Sequence, residues 1–301
     1  MLTIKNEKIA IPLVLSAGIL WSFGPLLVRY MDQPNLVPWQ YLFTRGIVIF
    51  VILNLYLFFE EGKYFYKNYF KIGLSGIIGG TGLAVAMITF IWSITNTSAA
   101  ITLLTLAAMP FLTALLGFLF LKENISLNVW IAIFAATVGI VIMATGISNK
   151  GSLIGLIFGL ASATGFSVFS VSLRWKKETP KFTTVAFAGL FCAIVSSAVL
   201  YNNGSSFIST SYNEGLFAIH GSIVCLGLVL YSLGSKIVPA AELTLLSLTE
   251  IIGGIFWVWL PILGINEVPN NNTIIGGFFI FMSIIYYSLT IKTNRRFIAL
   301  N

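Results

Sequence analysis

The chain has few charged side chains for its length of 301 residues. Asp, Glu, Lys and Arg make up 9% of it, whereas hydrophobic residues make up 57% and the mean hydropathy is +0.95. A water-soluble domain carries about 25% charged residues, because its surface faces water. The composition therefore excludes a soluble domain. It predicts an all-α polytopic membrane protein, since a bilayer-spanning helix uses about 20 apolar residues and the chain has room for about ten.

Histidine and cysteine are scarce as well. The one histidine is His220, and the two cysteines, Cys192 and Cys225, lie within apolar runs. A single histidine cannot form a His-rich metal site and argues against acid–base catalysis by histidine, and the cysteines are expected to be buried free thiols. We therefore predict no metal, no cofactor, no catalytic residues and no enzymatic activity. The net charge of +7 does not form a basic face with interleaved aromatics, so nucleic acid is not an expected partner.

Polar and proline-containing segments divide the chain into ten apolar runs, which we interpret as transmembrane helices. With the N-terminus placed in the cytoplasm, fourteen of the 17 basic residues fall on that side, Arg29 and Lys150 fall on the other, and Arg45 lies within the second run. This bias follows the positive-inside rule. It predicts a protein of the cell (inner) membrane with both termini cytoplasmic. The predicted helices cover residues 9–28, 37–58, 72–94, 99–121, 126–147, 152–173, 182–201, 215–235, 239–262 and 273–292.

The two halves of the sequence are similar to each other. A shift of 145 residues aligns Arg29 with Arg174, and a shift near 140 aligns Trp92 with Tyr231. Each half holds five predicted helices, and because five is odd the halves must enter the bilayer in opposite orientations. Inverted repeats with a site at their interface are typical of secondary transporters. The predicted repeats are residues 1–147, with helices 1–5, and residues 148–301, with helices 6–10.

Short motifs follow one another in a fixed order along both halves. They are Gly18–Gly24 (GILWSFG), Thr97–Ala100 (TSAA), Met109–Pro110, Leu121–Asn124 (LKEN), Val238–Glu242 (VPAAE), Leu248–Glu250 (LTE) and Gly276–Gly277. This set resembles the EamA family of the drug/metabolite transporter superfamily over essentially the whole chain. The resemblance implies ten helices around a central cavity, lined by the first four helices of each half. It implies that the fifth and tenth helices are peripheral or form a dimer contact. The family often has Glu-Pro in the fourth and ninth helices; here Met109-Pro110 lacks the acid and Glu250-Ile251 lacks the proline.

Glu250 is the acid expected near the membrane midplane. It follows Pro239 by 11 residues, about 16 Å along a helix, in a hydrocarbon core about 30 Å thick. A charged carboxylate costs about 3 kcal/mol at that depth, so we expect it to face a cavity. There it would act as a counter-ion for an ammonium group or as a proton-exchanging coupling group. The alternative is a protonated glutamate with a structural hydrogen bond.

Polar and aromatic residues at helical spacing suggest further cavity-lining positions. Trp92 and Tyr231 occupy equivalent places in the two halves, although such stripes also arise from hydrogen bonds between helices. Arg45 is expected to pair with a backbone carbonyl, to snorkel, or to bind a substrate carboxylate. Arg29 and Arg174 are expected at opposite membrane faces as interface anchors or gate contacts. The predicted substrate-binding residues are Trp21, Trp92, Tyr231, Glu250, Thr102, Ser93, Ser232 and Asn96, with Glu250 also as the ion-coupling residue.

Three classes of function fit such a membrane protein. The favoured one is a secondary-active transporter that exports a small organic metabolite, amino-acid-like or otherwise amphipathic, by alternating access around a midplane cavity. Its expected partners are the solute, the lipid bilayer and a proton as candidate coupling ion, with the protein either a monomer or a homodimer. The alternatives are an integral-membrane lipid-modifying enzyme, which would need clustered His, Asp or Cys, and a channel or scaffold of the same architecture.

Overall fold

The computed structural model describes residues 7–123, 125–145, 153–176, 178–268 and 271–298, and the regular structure in these ranges is helical. Short 3-10 segments at Gly62–Tyr64 and Pro261–Leu263 and one π-helical turn at Gly117–Leu121 accompany the α-helices. The α-helices are α1 (Glu7–Trp21), α2 (Phe23–Tyr30), α3 (Pro38–Glu61), α4 (Lys67–Phe70), α5 (Gly73–Asn96), α6 (Ala99–Leu106), α7 (Met109–Leu116), α8 (Leu127–Thr145), α9 (Leu153–Trp175), α10 (Lys181–Asn202), α11 (Ser211–Gly234), α12 (Ala240–Ser247), α13 (Thr249–Trp259) and α14 (Asn271–Ile298).

Local sequence signals start several helices. Pro38 is the first residue of α3, where its missing N–H group would have no helical partner. Ser98 precedes α6 and accepts a hydrogen bond from the backbone N–H of Ile101 at 3.3 Å. Thr210 does the same for Asn213 at the start of α11. These caps satisfy N–H groups that the first helical turn leaves open.

Eight helical segments are long and apolar enough to cross a membrane, so the chain is a polytopic membrane protein. Two further apolar helices, Leu127–Gly139 and Ile274–Tyr287, are shorter and lie within α8 and α14. Each of the ten predicted runs overlaps one of these ten segments, and eight of the segments meet the length of a span. The predicted boundary between the halves, at residues 147 and 148, lies outside the described residues.

Three of the spans are interrupted near their middle. α1 and α2 meet at Ser22, three residues before Pro25, which has no N–H group for the helical ladder. α6 and α7 are separated just before Pro110, and α12 and α13 meet at Leu248. Ser170 lies 145 residues after Pro25, the shift that aligns Arg29 with Arg174 in the sequence, and the helix that contains it, α9, is continuous. Residues beside the three interruptions, among them Gly24, Met109 and Glu250, line one cavity.

Contacts between the halves organise the bundle. The most extensive packing is that of α5 on α9, followed by α3 on α10 and α8 on α14. α1 packs on α11, α6 and α7 pack on α9, and α13 packs on α2 and α6. Backbones approach closely at Gly46 and Gly189, because a Cβ atom at Gly46 would lie 2.6 Å from the Gly189 carbonyl oxygen. The outward side is apolar, with Phe59 81% exposed, as expected of a surface that contacts lipid.

Candidate functional site

A cavity lies among the interrupted helices, at the mid-depth of the bundle. Its empty volume is about 590 Å³, including the space at its open mouth. Apolar side chains from α5, α6, α7, α9 and α11 form most of the wall. The polar groups in the wall are few. They are the indole of Trp21 and the side chains of Arg45, Ser162, His220 and Glu250.

Glu250 enters the cavity wall from the first turn of α13. Its side chain is 9% exposed, and within the described ranges its carboxylate has neither a hydrogen-bond nor an ion-pair partner. The turn is held against α1 at Gly18, where a Cβ atom would overlap the hydroxyl group of Thr249. A buried carboxylate without a partner is costly in a membrane, which marks this position for a ligand or a proton.

Trp21 also lines the cavity, and an aromatic cluster supports it. Its Nε1 atom donates to the carbonyl of Val224 at 3.3 Å, and its ring lies 5.4 Å from that of Phe166. Tyr231 packs against both rings, tilted toward that of Trp21 and edge-on to that of Phe166; it is fully buried, and its hydroxyl group shares a hydrogen bond with that of Ser170 at 2.7 Å. Tyr231 is therefore a neighbour of the wall and not part of it.

Ser93 and Thr102 join helices and do not line the cavity. Their hydroxyl groups lie 2.9 Å apart, and Ser93 also donates to the carbonyl of Gly155 at 2.9 Å. These bonds connect α5, α6 and α9. The contact is the helix-to-helix hydrogen bonding that was the alternative interpretation of the polar stripe.

The three other predicted substrate-binding residues lie away from the cavity as well. Trp92 packs 5.5 Å from the ring of Trp39, with its buried indole N–H unpartnered. Asn96 is exposed at the end of α5 and donates to the carbonyl of Trp92. Ser232 is buried with no partner for its hydroxyl group. Their positions follow from helix geometry. The face of α5 in the cavity wall is the apolar one at spacing i, i+3, i+4 and i+7, which comprises Leu83, Ala86, Met87 and Phe90.

Arg45, Tyr41 and His220 form a buried cluster that sequence reasoning did not identify. Arg45 donates through Nη1 to the Tyr41 hydroxyl at 2.9 Å and through Nη2 to the carbonyl of Met87 at 3.1 Å. The Tyr41 hydroxyl lies 2.6 Å from Nδ1 of His220. The i, i+4 spacing of Tyr41 and Arg45 was the available signal. His220 joins them from a position 179 residues away, which no local pattern indicates.

An arginine–glutamate pair fastens one end of the bundle. Nε of Arg29, at the end of α2, lies 2.6 Å from Oε1 of Glu267. The same guanidinium donates to the carbonyls of Ile94 and Thr97, both at 3.2 Å. We call this arrangement the Arg29 latch. It joins α2 to the end of α5 and to the segment after α13.

An equivalent pair fastens the opposite end. Nε of Arg174 lies 2.6 Å from Oε1 of Glu123, and Nη1 donates to the carbonyls of Ser235 and Val238 at 3.1 and 2.9 Å. We call this the Arg174 latch. The start of α9 lies beside the end of α5, so at 1.5 Å per residue Arg174 is about 29 Å from that end. The cavity lies between the two latches.

Candidate metal ligands are the next feature of the described residues. Within the described part of the chain, no three His, Cys, Asp or Glu side chains are grouped so that they could hold a metal ion. Cys192 and Cys225 are buried free thiols.

Comparison with known proteins gives a family match for part of the chain and a fold for almost all of it. Residues 8–145 match the family model described as the EamA-like transporter family. No curated protein matches the chain. Twenty-nine chains of solved structures do. One of them, a protein crystal structure, shares 17% sequence identity with a TM-score of 0.74, and the match covers 93% of this chain and 96% of that chain. At this identity the likeness shows a shared fold along almost the full length of both chains.

Proposed function

We propose that this chain, whose residues 8–145 belong to the EamA-like transporter family, is a secondary-active transporter that moves a small organic metabolite by alternating access. The observation that carries the proposal is the pair of equivalent latches at opposite ends of one cavity. A carrier needs a closure on each side of its cavity, and the two closures open in turn. The two latches, one at each end of the cavity, can supply these closures. The family is one of transporters, which agrees with transport and gives no support to the lipid-modifying enzyme.

Contacts between the helices support two inverted repeats, residues 1–147 and 148–301, in a ten-helix protein. Exchanging the halves turns the contact of α5 with α9 into that of α11 with α1. The contact of α5 with α10 likewise becomes that of α11 with α3. The pairs α3 with α10 and α8 with α14 map onto themselves. Inverted repeats give a transporter its two related end states.

The same exchange relates the two latches. Arg29 corresponds to Arg174, and Glu267 corresponds to Glu123 at a shift of 144 residues. The distribution of basic residues assigns the Arg174 latch to the cytoplasmic side and both termini to the same side. In the transport cycle the Arg174 latch opens to admit solute from the cytoplasm, closes again, and the Arg29 latch then opens for release.

Glu250 supplies the coupling in this proposal. Its carboxylate faces the cavity and has no partner among the residues that the structure describes, so its protonation responds to the solute that enters. The rest of the wall is mostly apolar, with Trp21 beside it, which suits an amphipathic solute better than a polyanion. Export against proton entry then follows from protons and solute sharing this one group.

Solute flux from proteoliposomes tests the proposal. Vesicles holding the purified protein are loaded with a defined mixture of small metabolites, and mass spectrometry identifies what leaves, with and without a pH gradient. We expect a small subset to leave saturably and faster with the gradient. The Glu250→Gln protein should lose the response to the gradient, and the exposed control Glu178→Gln should keep it.

Two outcomes would contradict the proposal. If no solute leaves, the protein is not a transporter of these metabolites. If all small solutes leave without saturation, the protein is a channel. A gradient response in Glu250→Gln equal to that of the wild type would remove the coupling role alone.

A further inference from the structure

Two side chains of opposite charge line the cavity, and neither has an ionic partner in the part of the chain that the structure describes. Arg45 is 2% exposed, and its guanidinium bonds only to the neutral Tyr41 hydroxyl and the Met87 carbonyl. Its Nε atom is buried with no acceptor. Glu250 is similarly without a partner among the described residues. Buried charges are normally paired, because an unpaired one costs several kcal/mol of desolvation.

The two charges reach the cavity from different sides of the bundle. Arg45 comes from α3, which packs on α5, α10 and α11. Glu250 comes from α13, which packs on α1, α2, α6 and α14. The cavity wall includes both residues, so a solute inside it is contacted by a cation on one side and an anion on the other.

The hydrogen bonds around Tyr41 define which groups point toward a ligand. A guanidinium can only donate, so the Tyr41 oxygen accepts from Arg45. Among the described residues Nδ1 of His220 is the other hydrogen-bond partner of this hydroxyl group, so we assign the Tyr41 hydrogen to that nitrogen. In neutral His220 the remaining hydrogen is then on Nε2. This atom lies toward Gly24, also in the wall, where an added Cβ atom would be 3.0 Å from it. His220 therefore adds an N–H donor to the wall that holds Arg45.

The remaining wall gives the character of the solute between these groups. It is formed largely by apolar side chains from α5, α6, α7, α9 and α11. A ligand that fits has one anionic group, one cationic group and an apolar body. The apolar side chains that would contact the body of this ligand include Leu83, Phe90, Leu106, Met109 and Phe166.

We propose that Arg45 and His220 form a carboxylate subsite facing Glu250, and that the transported solute is a zwitterion, an amino acid with an apolar side chain. The carboxylate accepts from the guanidinium and from Nε2–H of His220, and the ammonium group donates to Glu250. Tyr41 is a positioning residue that holds Arg45 and His220 together. The inference rests on the proposed transport function and adds the chemical class of its substrate.

Binding of matched ligands to matched variants tests the subsite. The probes are leucine, 3-methylbutylamine, which lacks the carboxylate, and 4-methylpentanoate, which lacks the ammonium group; phenylalanine and methionine widen the search. Binding to purified protein is measured by calorimetry at one fixed pH. We expect an apolar amino acid to bind at least about tenfold more tightly than either analogue, because hydrogen bonds between charged groups are the strong ones.

Each variant should remove the preference for the amino acid over one of the two analogues. Arg45→Gln should bind the amino acid no more tightly than the amine, and Glu250→Gln should bind it no more tightly than the carboxylic acid. If Arg45→Gln does not fold, Tyr41→Phe keeps the ring and removes the hydroxyl group. It should weaken the binding of leucine and 4-methylpentanoate while leaving that of the amine unchanged.

Three results would overturn the inference. The first is a wild-type protein that binds the amine as tightly as the amino acid. The second is an Arg45→Gln or Tyr41→Phe protein whose affinities for the amine and for the amino acid fall equally. The third is a wild-type protein that binds none of the three amino acids. The flux experiment separates these failures from that of the proposed function, because it uses a mixed metabolite pool. Saturable flux of other solutes would leave transport intact and reject the zwitterion.

Discussion

The two latches share an arrangement but differ in how deeply they are tied into the bundle. In each, an arginine Nε lies 2.6 Å from the oxygen of a glutamate in the other half of the sequence, and the same guanidinium binds two backbone carbonyls of its own half. Glu123 has a second role, because its Oε2 accepts from the backbone N–H of Ala240 at 3.2 Å and so caps α12. Glu267 has no such side-chain bond among the described residues and is 34% exposed, against 21% for Glu123.

The difference teaches that two similar arginine–glutamate pairs need not make the two ends of the bundle equal in stability. The Arg174 end has a further bond, since Nζ of Lys181 donates to the Ser235 hydroxyl at 2.9 Å beside the latch. The Arg29 end has the bond from the Tyr30 hydroxyl to the carbonyl of Leu263 at 2.6 Å. We infer that the Arg174 latch is the harder of the two to open.

Removing the arginines should give the largest effects. Arg174→Ala removes an ion pair and two carbonyl bonds, and we expect solute flux to fall about tenfold or more, because one hydrogen bond to a charged group contributes about 1.5–3 kcal/mol. Arg29→Ala should reduce flux less. Flux from proteoliposomes with equal protein content measures both. A larger loss in Arg29→Ala would reverse the ranking of the latches.

A change at the contact between the halves should affect both ends alike. In Gly46→Ala the added methyl group meets the Gly189 carbonyl at 2.6 Å and the Ala193 nitrogen at 2.9 Å, both backbone atoms. Such overpacking costs about 1–3 kcal/mol, so the melting temperature in detergent should fall. Gly215→Ala is the control, because the space beside Gly215 is open. Equal melting temperatures for the two variants would contradict the close approach of α3 and α10.

The paired glutamates allow a milder comparison. In Glu123→Gln, the backbone N–H of Ala240 faces either an amide NH₂ group or an amide oxygen, which is a weaker acceptor than a carboxylate. Glu267→Gln keeps an oxygen that accepts from Arg29, and that is the side-chain bond of Glu267 among the described residues. We expect Glu123→Gln to reduce the free energy of unfolding by about 1 kcal/mol, which is typical of a lost helix cap. It should therefore lower the melting temperature more than Glu267→Gln does. Indistinguishable melting curves would show that the cap adds nothing to the Arg174 latch.

The smallest expected effect is a pH response at the Arg174 end. Burial lowers the pKa of Lys236, which lies between α11 and α12, outside the membrane-spanning segments. The unfolded chain then keeps its proton to higher pH than the folded one. Stability should therefore rise with pH between the lowered pKa and the ordinary value of 10.5. The melting temperature should increase slightly across that window, and Lys236→Gln should flatten the curve. A melting temperature of the wild type that falls with pH across that window would contradict the lowered pKa of Lys236.

Composition and proline spacing predicted the helical, membrane-spanning character of the chain; the ten helices in two repeats stay a prediction. Apolar runs of membrane length became helices, and helix starts at Pro38 and after Pro239 lie where the missing N–H has no cost. The depth estimate from Pro239 placed Glu250 at the level of the cavity. Periodicity could not decide which face of α5 meets the cavity, so Ser93 and Trp92 were assigned to a wall that apolar residues form instead.

The partners of the predicted charges depended on long-range contacts. Arg29 and Arg174 were expected at opposite faces, but Glu267 lies 238 residues from Arg29 in the sequence and no local pattern connects them. His220 was set aside because one histidine cannot form a metal site. Its place in the cavity wall follows from the packing of α11 on α3, which the sequence alone does not reveal.

Reciprocal access to the cavity is the central claim, and one labelling measurement tests it directly. Cysteine is placed at Phe90 in the cavity wall of a protein whose buried Cys192 and Cys225 are changed to alanine. A membrane-impermeant maleimide is then applied to vesicles of either orientation. Our account predicts faster labelling only from the cytoplasmic side in Arg174→Ala, and only from the opposite side in Arg29→Ala. Equal acceleration from both sides in either variant, or none in both, would contradict it.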